Sequence, residues 1–189
     1  MTRSGHSAGG RIQKIRKFAL LGAAALFALA PAAPLSAHES AISDPQIAHI
    51  AYTAGQLDVE AAEQALERSQ SAEVRAFAET MLRDHRAVNE QALALLQRLG
   101  VTPAEHPTSL ALSAQATEER RRLSALEGAA FDRAYAEREA AYHSAVNTAL
   151  RDTLIPGAHN AELKALLEQG LALFSAHQEH AEMLARSLR

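Results

Sequence analysis

Ala72-Glu-Val-Arg-Ala-Phe-Ala-Glu-Thr-Met81-Leu-Arg-Asp-His85-Arg-Ala-Val-Asn-Glu-Gln-Ala-Leu-Ala-Leu-Leu-Gln-Arg-Leu99 is the stretch that decides the fold class. Its apolar positions, Val74, Phe77, Ala78, Met81, Leu82, Val88, Ala92, Leu95, Leu96 and Leu99, recur every three or four residues, the spacing of one buried helix face. Ser71 stands where an N-cap belongs and Gly100 where the chain leaves the helix. From Asp44 to Arg189 the strong helix formers Ala, Leu, Glu, Gln and Arg dominate, and no stretch alternates apolar with polar as a half-buried strand does. The expected class is all-α.

Upstream, Asp44-Pro45 reads as an N-cap followed by proline at the first helical position, opening a helix to about Ser69. Only Ser69 to Ser71 separate it from the next, so the two must pack as an antiparallel hairpin. Downstream, Val101 to Leu112 contains Pro103 and Pro107 and reads as a loop, leading to a short polar helix from about Ser113 to Ala125. Its Glu118-Glu-Arg-Arg-Arg122 run is expected on a solvated face. Gly128 breaks the chain before a long helix, about Ala129 to Asp152, and Pro156-Gly157 turns it into a last helix capped by Asn160. Four long amphipathic helices imply a bundle, and the long second-to-third connection, with its short extra helix, permits the ferritin-like order.

The chain has 189 residues, 48% apolar and 4% aromatic, with nine His and no Cys. Lacking Cys, it has no disulfides, thiolate metal ligands, iron–sulfur clusters or cysteine nucleophile. Its formal net charge of −3 hides an asymmetry. All five basic residues before position 38 stand there without an acidic one, so the remainder carries 14 basic against 22 acidic residues, a net of −8. So acidic a product, so poor in aromatics, is not built to grip phosphate backbones, and nucleic acid is excluded as a partner. No Gly-x-Ser-x-Gly elbow and no glycine-rich phosphate loop occurs, which leaves nucleophilic hydrolysis and nucleotide chemistry without machinery.

The basic stretch Arg11 to Lys17, the apolar run Phe18 to Ala30 and Pro31-Ala-Ala-Pro-Leu-Ser-Ala37 follow the order of a secretory signal peptide. Thirteen apolar residues make a helix of only about 20 Å, too short to cross a bilayer, so removal is expected rather than retention as an anchor. Cleavage is placed after Ala37, with Ala28-Leu-Ala30 as the other small-residue site. The product, residues 38–189, is expected to be exported to the periplasm as one helical domain without a transmembrane segment.

The chemically informative residues are ionisable groups inside the apolar stripes, because burying them costs free energy unless they are paired or ligate something. Asp58 lies amid Ile47, Ile50, Ala51, Ala54, Ala61 and Ala65, and His85 sits at the centre of its stripe with Asp84 on the margin. Asp132, Glu139 and His143 line a flank of the third long helix; His177 lies on the stripe of the last, with His180 at its edge. Counting residues from the connecting turns puts Asp58, His85 and His143 near one height, and His177 about 13 Å away, nearer Asp132 or Tyr135. Tyr135 and Tyr142 are expected as core aromatics whose hydroxyls reach the edge. His177-x-x-His180 reads as one core and one exposed histidine, or as a surface metal pair.

Phe77-Ala-Glu-Thr-Met81-Leu-Arg-Asp84-His85, Gly128-Ala-Ala-Phe131-Asp132-Arg-Ala-Tyr135, His143 and His177 together resemble an uncharacterised family of exported bacterial proteins. That family, domain of unknown function 4142, is often labelled "predicted outer membrane protein"; the resemblance implies a ferritin-like helical bundle and export, and carries no activity. Where the family commonly has Glu in the first helix, this chain has Asp58, one methylene shorter.

Two readings follow. In one, Asp58, His85 and His143 form a buried polar cluster that dictates which helix faces which, in a non-enzymatic envelope or stress-related module. In the other, Asp58, His85, Glu139 and His143 hold a single iron, zinc or manganese ion, in a metal-binding protein or oxidoreductase. No His has Glu three residues before it, so the ordinary di-iron motif Glu-x-x-His is absent.

Overall fold

The computed structural model describes residues 41–189; the expected signal peptide and its cleavage sites lie outside them. The described chain is all-helical. Helix α1 spans Asp44–Arg68, α2 Ala72–Leu99, α3 Pro107–Ser124 and α4 Gly128–Ala149, which continues through a π-helical turn, Leu150–Leu154, and one α turn, α5, Ile155–Gly157. Helix α6, Ala161–Ser187, closes the chain. The hairpin of α1 and α2 packs against the hairpin of α4 and α6, with α2 beside α6 and α1 beside α4, while α3 lies along α1. No described helix is long and apolar enough to cross a membrane.

Most boundaries follow from caps. Ser71 Oγ accepts from Val74 N, Gly100 leaves α2 at φ 66°, and Asn160 Oδ1 accepts from Glu162 N and Leu163 N. Three expectations are corrected. Ser43, not Asp44, is the N-cap of α1, its amide donating to Gln46 Oε1; Asp44 instead accepts from the amides of His159 and Asn160, at 2.8 Å each, tying the start of α1 to the turn before α6. The third helix starts at Pro107, six residues before the expected Ser113, because proline fits the first helical position and His106 Nδ1 caps it by accepting from Thr108 N. Finally, Pro156 does not end the long helix at Asp152. The strain of a proline ring inside a helix is absorbed one turn earlier, where Ile155 N bonds Leu150 O in the wider π turn, and helical structure persists to Gly157.

The core has two apolar clusters. One gathers Ala61, Ala65, Val74, Phe77, Met81, Phe131, Tyr135, Ala181 and Leu184; the other gathers Ile47, Ile50, Leu95, Leu96, Leu150, Leu154, Leu163, Leu167 and Phe174. Apart from Asp132, which is buried nearer one end, the buried ionisable residues of the long helices fall between these two sets: Asp58 on α1, His85 on α2, Arg138, Glu139 and His143 on α4, His177 on α6. A polar layer therefore separates two apolar ends.

Candidate metal centre

Asp58 and His85 meet, as their heights require. His85 Nε2 lies 3.0 Å from Asp58 Oδ2, and the aspartate's shorter reach suffices because both side chains are almost wholly buried on helices joined by a three-residue turn. His85 Nε2 is also 3.3 Å from His143 Nε2, and its ring stacks on Phe174 with centroids 4.6 Å apart. His143 Nδ1 lies 3.0 Å from the Glu139 carbonyl oxygen one turn earlier. A carbonyl only accepts, so Nδ1 carries a proton and Nε2 is the nitrogen turned toward the cluster.

His177 is where the height argument fails. Rather than meeting Asp132 or Tyr135, it places its ring 5.4 Å from His85 and 5.5 Å from His143. The cause is the correction at Pro156: with helical structure persisting to Gly157, His143 lies about 21 Å from the turn and His177 about 25 Å beyond it, one height within a turn. His177 Nε2 donates to Asp84 Oδ2 at 3.0 Å, so the marginal Asp84 becomes part of the cluster. That bond leaves His177 Nδ1 bare, buried and without a partner.

The remaining candidates divide. Asp132 accepts from Ser69 Oγ at 2.5 Å and anchors the α1–α2 turn, outside the cluster. Tyr135 packs with Phe77 and Phe131; its hydroxyl, expected at an edge, is fully buried and unpartnered, because α4 is covered at that level. Tyr142 OH donates to the Ala54 carbonyl at 2.8 Å. His180 is exposed, edge-on to Phe77, so the pair is one core and one surface histidine.

Arg138 is the residue that sequence reasoning missed. Only 9% exposed, it donates from Nη1 to Asp58 Oδ1 at 3.1 Å and to Glu139 Oε1, and its guanidinium lies 4.2 Å from the Tyr142 ring centre. The signal was present: Phe131, Tyr135, Arg138 and Tyr142 follow the spacing of one helix face.

Charge inside the layer is nearly balanced. Burial alone would raise the Asp58 carboxyl; His85, His143 and Arg138 reverse this and hold it well below the ordinary carboxylate range. Glu139 goes the other way, pushed far up by burial and by the negative Asp58 beside it, so the two acids divide one proton and Asp58 is the ionised member. Burial lowers His85 to about 4 against the opposing pull of Asp58, and lowers His177 likewise, so both rings are neutral at physiological pH.

Two triads bring their ligand-type atoms within 4.8 Å of one another: His85, His143 and His177, and Asp58, Glu139 and His143. They are not equivalent. Arg138 occupies the second with a fixed positive charge, whereas the first consists of imidazoles alone. Around an ion with bonds of about 2.0–2.2 Å, adjacent ligand atoms stand about 3–3.5 Å apart. The 3.0 and 3.3 Å separations centred on His85 Nε2 have that spacing. His143 held by a carbonyl and His177 held by a carboxylate are the supports that fix ring orientation at metal sites. The histidine triad with Asp58 thus offers three nitrogens and one oxygen, a donor set suited to zinc or ferrous iron.

Beside the cluster lies a cavity of about 410 Å³, bordered by Gly55, His85, Asn89, His143, Leu150 and Phe174 and reaching out between α3 and α4. A family model, "Domain of unknown function (DUF4142)", matches residues 29–184. Neither a curated protein nor a solved structure matches the chain.

Proposed function

The chain belongs to the DUF4142 family, and from that premise we propose that it is an exported, ferritin-like helical bundle that holds one divalent transition-metal ion on His85, His143 and His177, with Asp58 as the fourth ligand. The observation that carries this reading is His85 Nε2 standing 3.0 Å from Asp58 Oδ2 and 3.3 Å from His143 Nε2, in a layer where the protons on His143 and His177 are drawn outward by Glu139 O and Asp84. Glu139, paired with Arg138, acts behind the ligands and sets the charge of Asp58. The role is storage, sensing or stabilisation in the cell envelope; no reaction is assigned.

Export is supported by the basic, apolar and small-residue order of the first 37 residues. The mass of the periplasmic product should begin at His38; a product that retains Met1 refutes removal of the leader.

Chelator-treated protein titrated with zinc, ferrous iron and manganese should take up one ion per chain, with zinc or iron preferred. Free ion at a hundredfold excess over Kd should stabilise the fold by about 2.7 kcal/mol. His177→Ala should abolish uptake while leaving the Asp58–His85–Arg138 contacts in place. One observation favours a second reading: Arg138 already neutralises Asp58, as a purely structural network would require. If none of the ions binds or raises the melting temperature, that network is the cluster's role and the metal reading is wrong.

A further inference from the structure

The cavity beside the histidine layer owes its space to small residues: Ala51, Ala54 and Gly55 on α1, Ala92 on α2, and Ala141 and Ala145 on α4. It follows α2 at least from His85 to Leu96, a run of about 16 Å, so it is elongated rather than round. Leu163, Leu167 and Phe174 of α6 close its far wall with apolar surface. Such a volume and lining are those of a small-molecule site.

Small residues alone make no site; the inner end of this one supplies chemistry. Asn89, only 7% exposed, borders the cavity, and its Nδ2 has no hydrogen-bond partner. One turn away on the same face of α2, His85 Nδ1 is buried and equally unpartnered. Buried amides without partners are rare because each costs its lost hydration. Gly55 keeps the amide in place: a Cβ there would stand 2.3 Å from Asn89 Oδ1, so any larger residue would drive Asn89 off the α1 wall. Both arginines that line the cavity are engaged, Arg138 by Asp58 and Glu139 and Arg122 by Glu119, so neither stands as a free cation for an incoming anion.

We propose that this cavity binds a neutral, elongated apolar molecule of medium chain length carrying one carbonyl group, its chain lying between α1 and α4 and its carbonyl oxygen accepting from Asn89 Nδ2. The carbonyl satisfies the orphaned amide, the chain displaces water from the alanine-lined walls, and the absence of charge fits the balanced interior. The site needs no ion, so it stands or falls separately from the metal centre.

N-phenyl-1-naphthylamine, a neutral apolar dye, should bind the chelator-treated protein saturably with increased fluorescence. 2-Decanone should displace it at about tenfold lower concentration than decane, which lacks the acceptor, or decanoate, which adds a charge. Asn89→Leu should retain the dye and erase the preference for the ketone over decane. Ala51→Trp should fill the cavity and weaken dye binding at least about tenfold with helicity unchanged; Ala145→Trp, on the exposed side of α4, serves if that variant does not fold. Absent saturable binding, equal binding by the filled variants, or displacement strongest with decanoate overturns the proposal. A ketone preference that survives Asn89→Leu overturns the assignment of the amide.

Discussion

Arg138→Met should destabilise the metal-free protein by about 3–5 kcal/mol at pH 7, the loss expected when one member of a buried ion pair is removed. Methionine keeps most of the side-chain length and its packing on Tyr142, so the measured change isolates the charge. Without the guanidinium, Asp58 faces Glu139 across the layer and has lost its permanently charged partner. It must then hold a buried negative charge or take up a proton, and both cost free energy. Adding Asp58→Asn to the first change removes the stranded charge and should recover more than half of the loss, a coupling that a double-mutant cycle in urea reads directly. A loss below about 1 kcal/mol for the single variant, the range of surface ion pairs, would mean that water reaches the pair.

Why this arginine escaped sequence reading is instructive. Buried Asp58 and His85 stand out because an acid or an imidazole interrupts a run of Ala, Ile, Met and Val. Arg138 sits among Glu137, Glu139 and Arg133, where a further charge looks like one more solvated position. Only the spacing from Phe131 and Tyr135 gives it away. The helices themselves were legible because their caps are local: Ser71, Gly100 and Asn160 act within four residues of where they stand. The join of the α4–α6 hairpin was not, since proline can end a helix, start one, or sit one turn past a π turn, and neighbouring residues do not choose among these. Misjudging that join by five residues misplaced His177 by more than a helical turn and hid the third imidazole. Layer and fold class follow from periodicity; the composition of the site depends on one chain reversal.

The acid response of the metal-free protein should be controlled by His85 and Glu139 acting in opposite directions. Burial, against the pull of Asp58, lowers folded His85 to about 4, while the unfolded ring titrates near 6.5. Between these values the unfolded chain binds more protons, so the stability that neutral His85 contributes is full above 6.5 and is lost as pH falls toward 4, about 3 kcal/mol in all. His177, lowered by burial and flanked by Asp84, adds to the same slope. Glu139, raised by burial and by Asp58, keeps its proton when folded at pH values where the unfolded acid has lost it, so its contribution is full below 4.5 and is lost as pH rises. The Asp58 contribution is lost only further down, as pH falls below the ordinary carboxylate value. From 4.5 to 6.5 the His85 and Glu139 slopes oppose, and the native protein should show a shallow response. Glu139→Gln replaces the protonated acid with an amide of the same shape and cancels only one of them. The variant should therefore lose about 3 kcal/mol on going from pH 6.5 to 4, a clear fall where the parent is nearly flat, and should hold its stability above pH 6.5 where the parent declines. Urea titrations at four pH values separate the cases. Matching profiles for the two proteins would show that Glu139 is ionised in the fold, in a plain ion pair with Arg138, and that Asp58 does not control its proton.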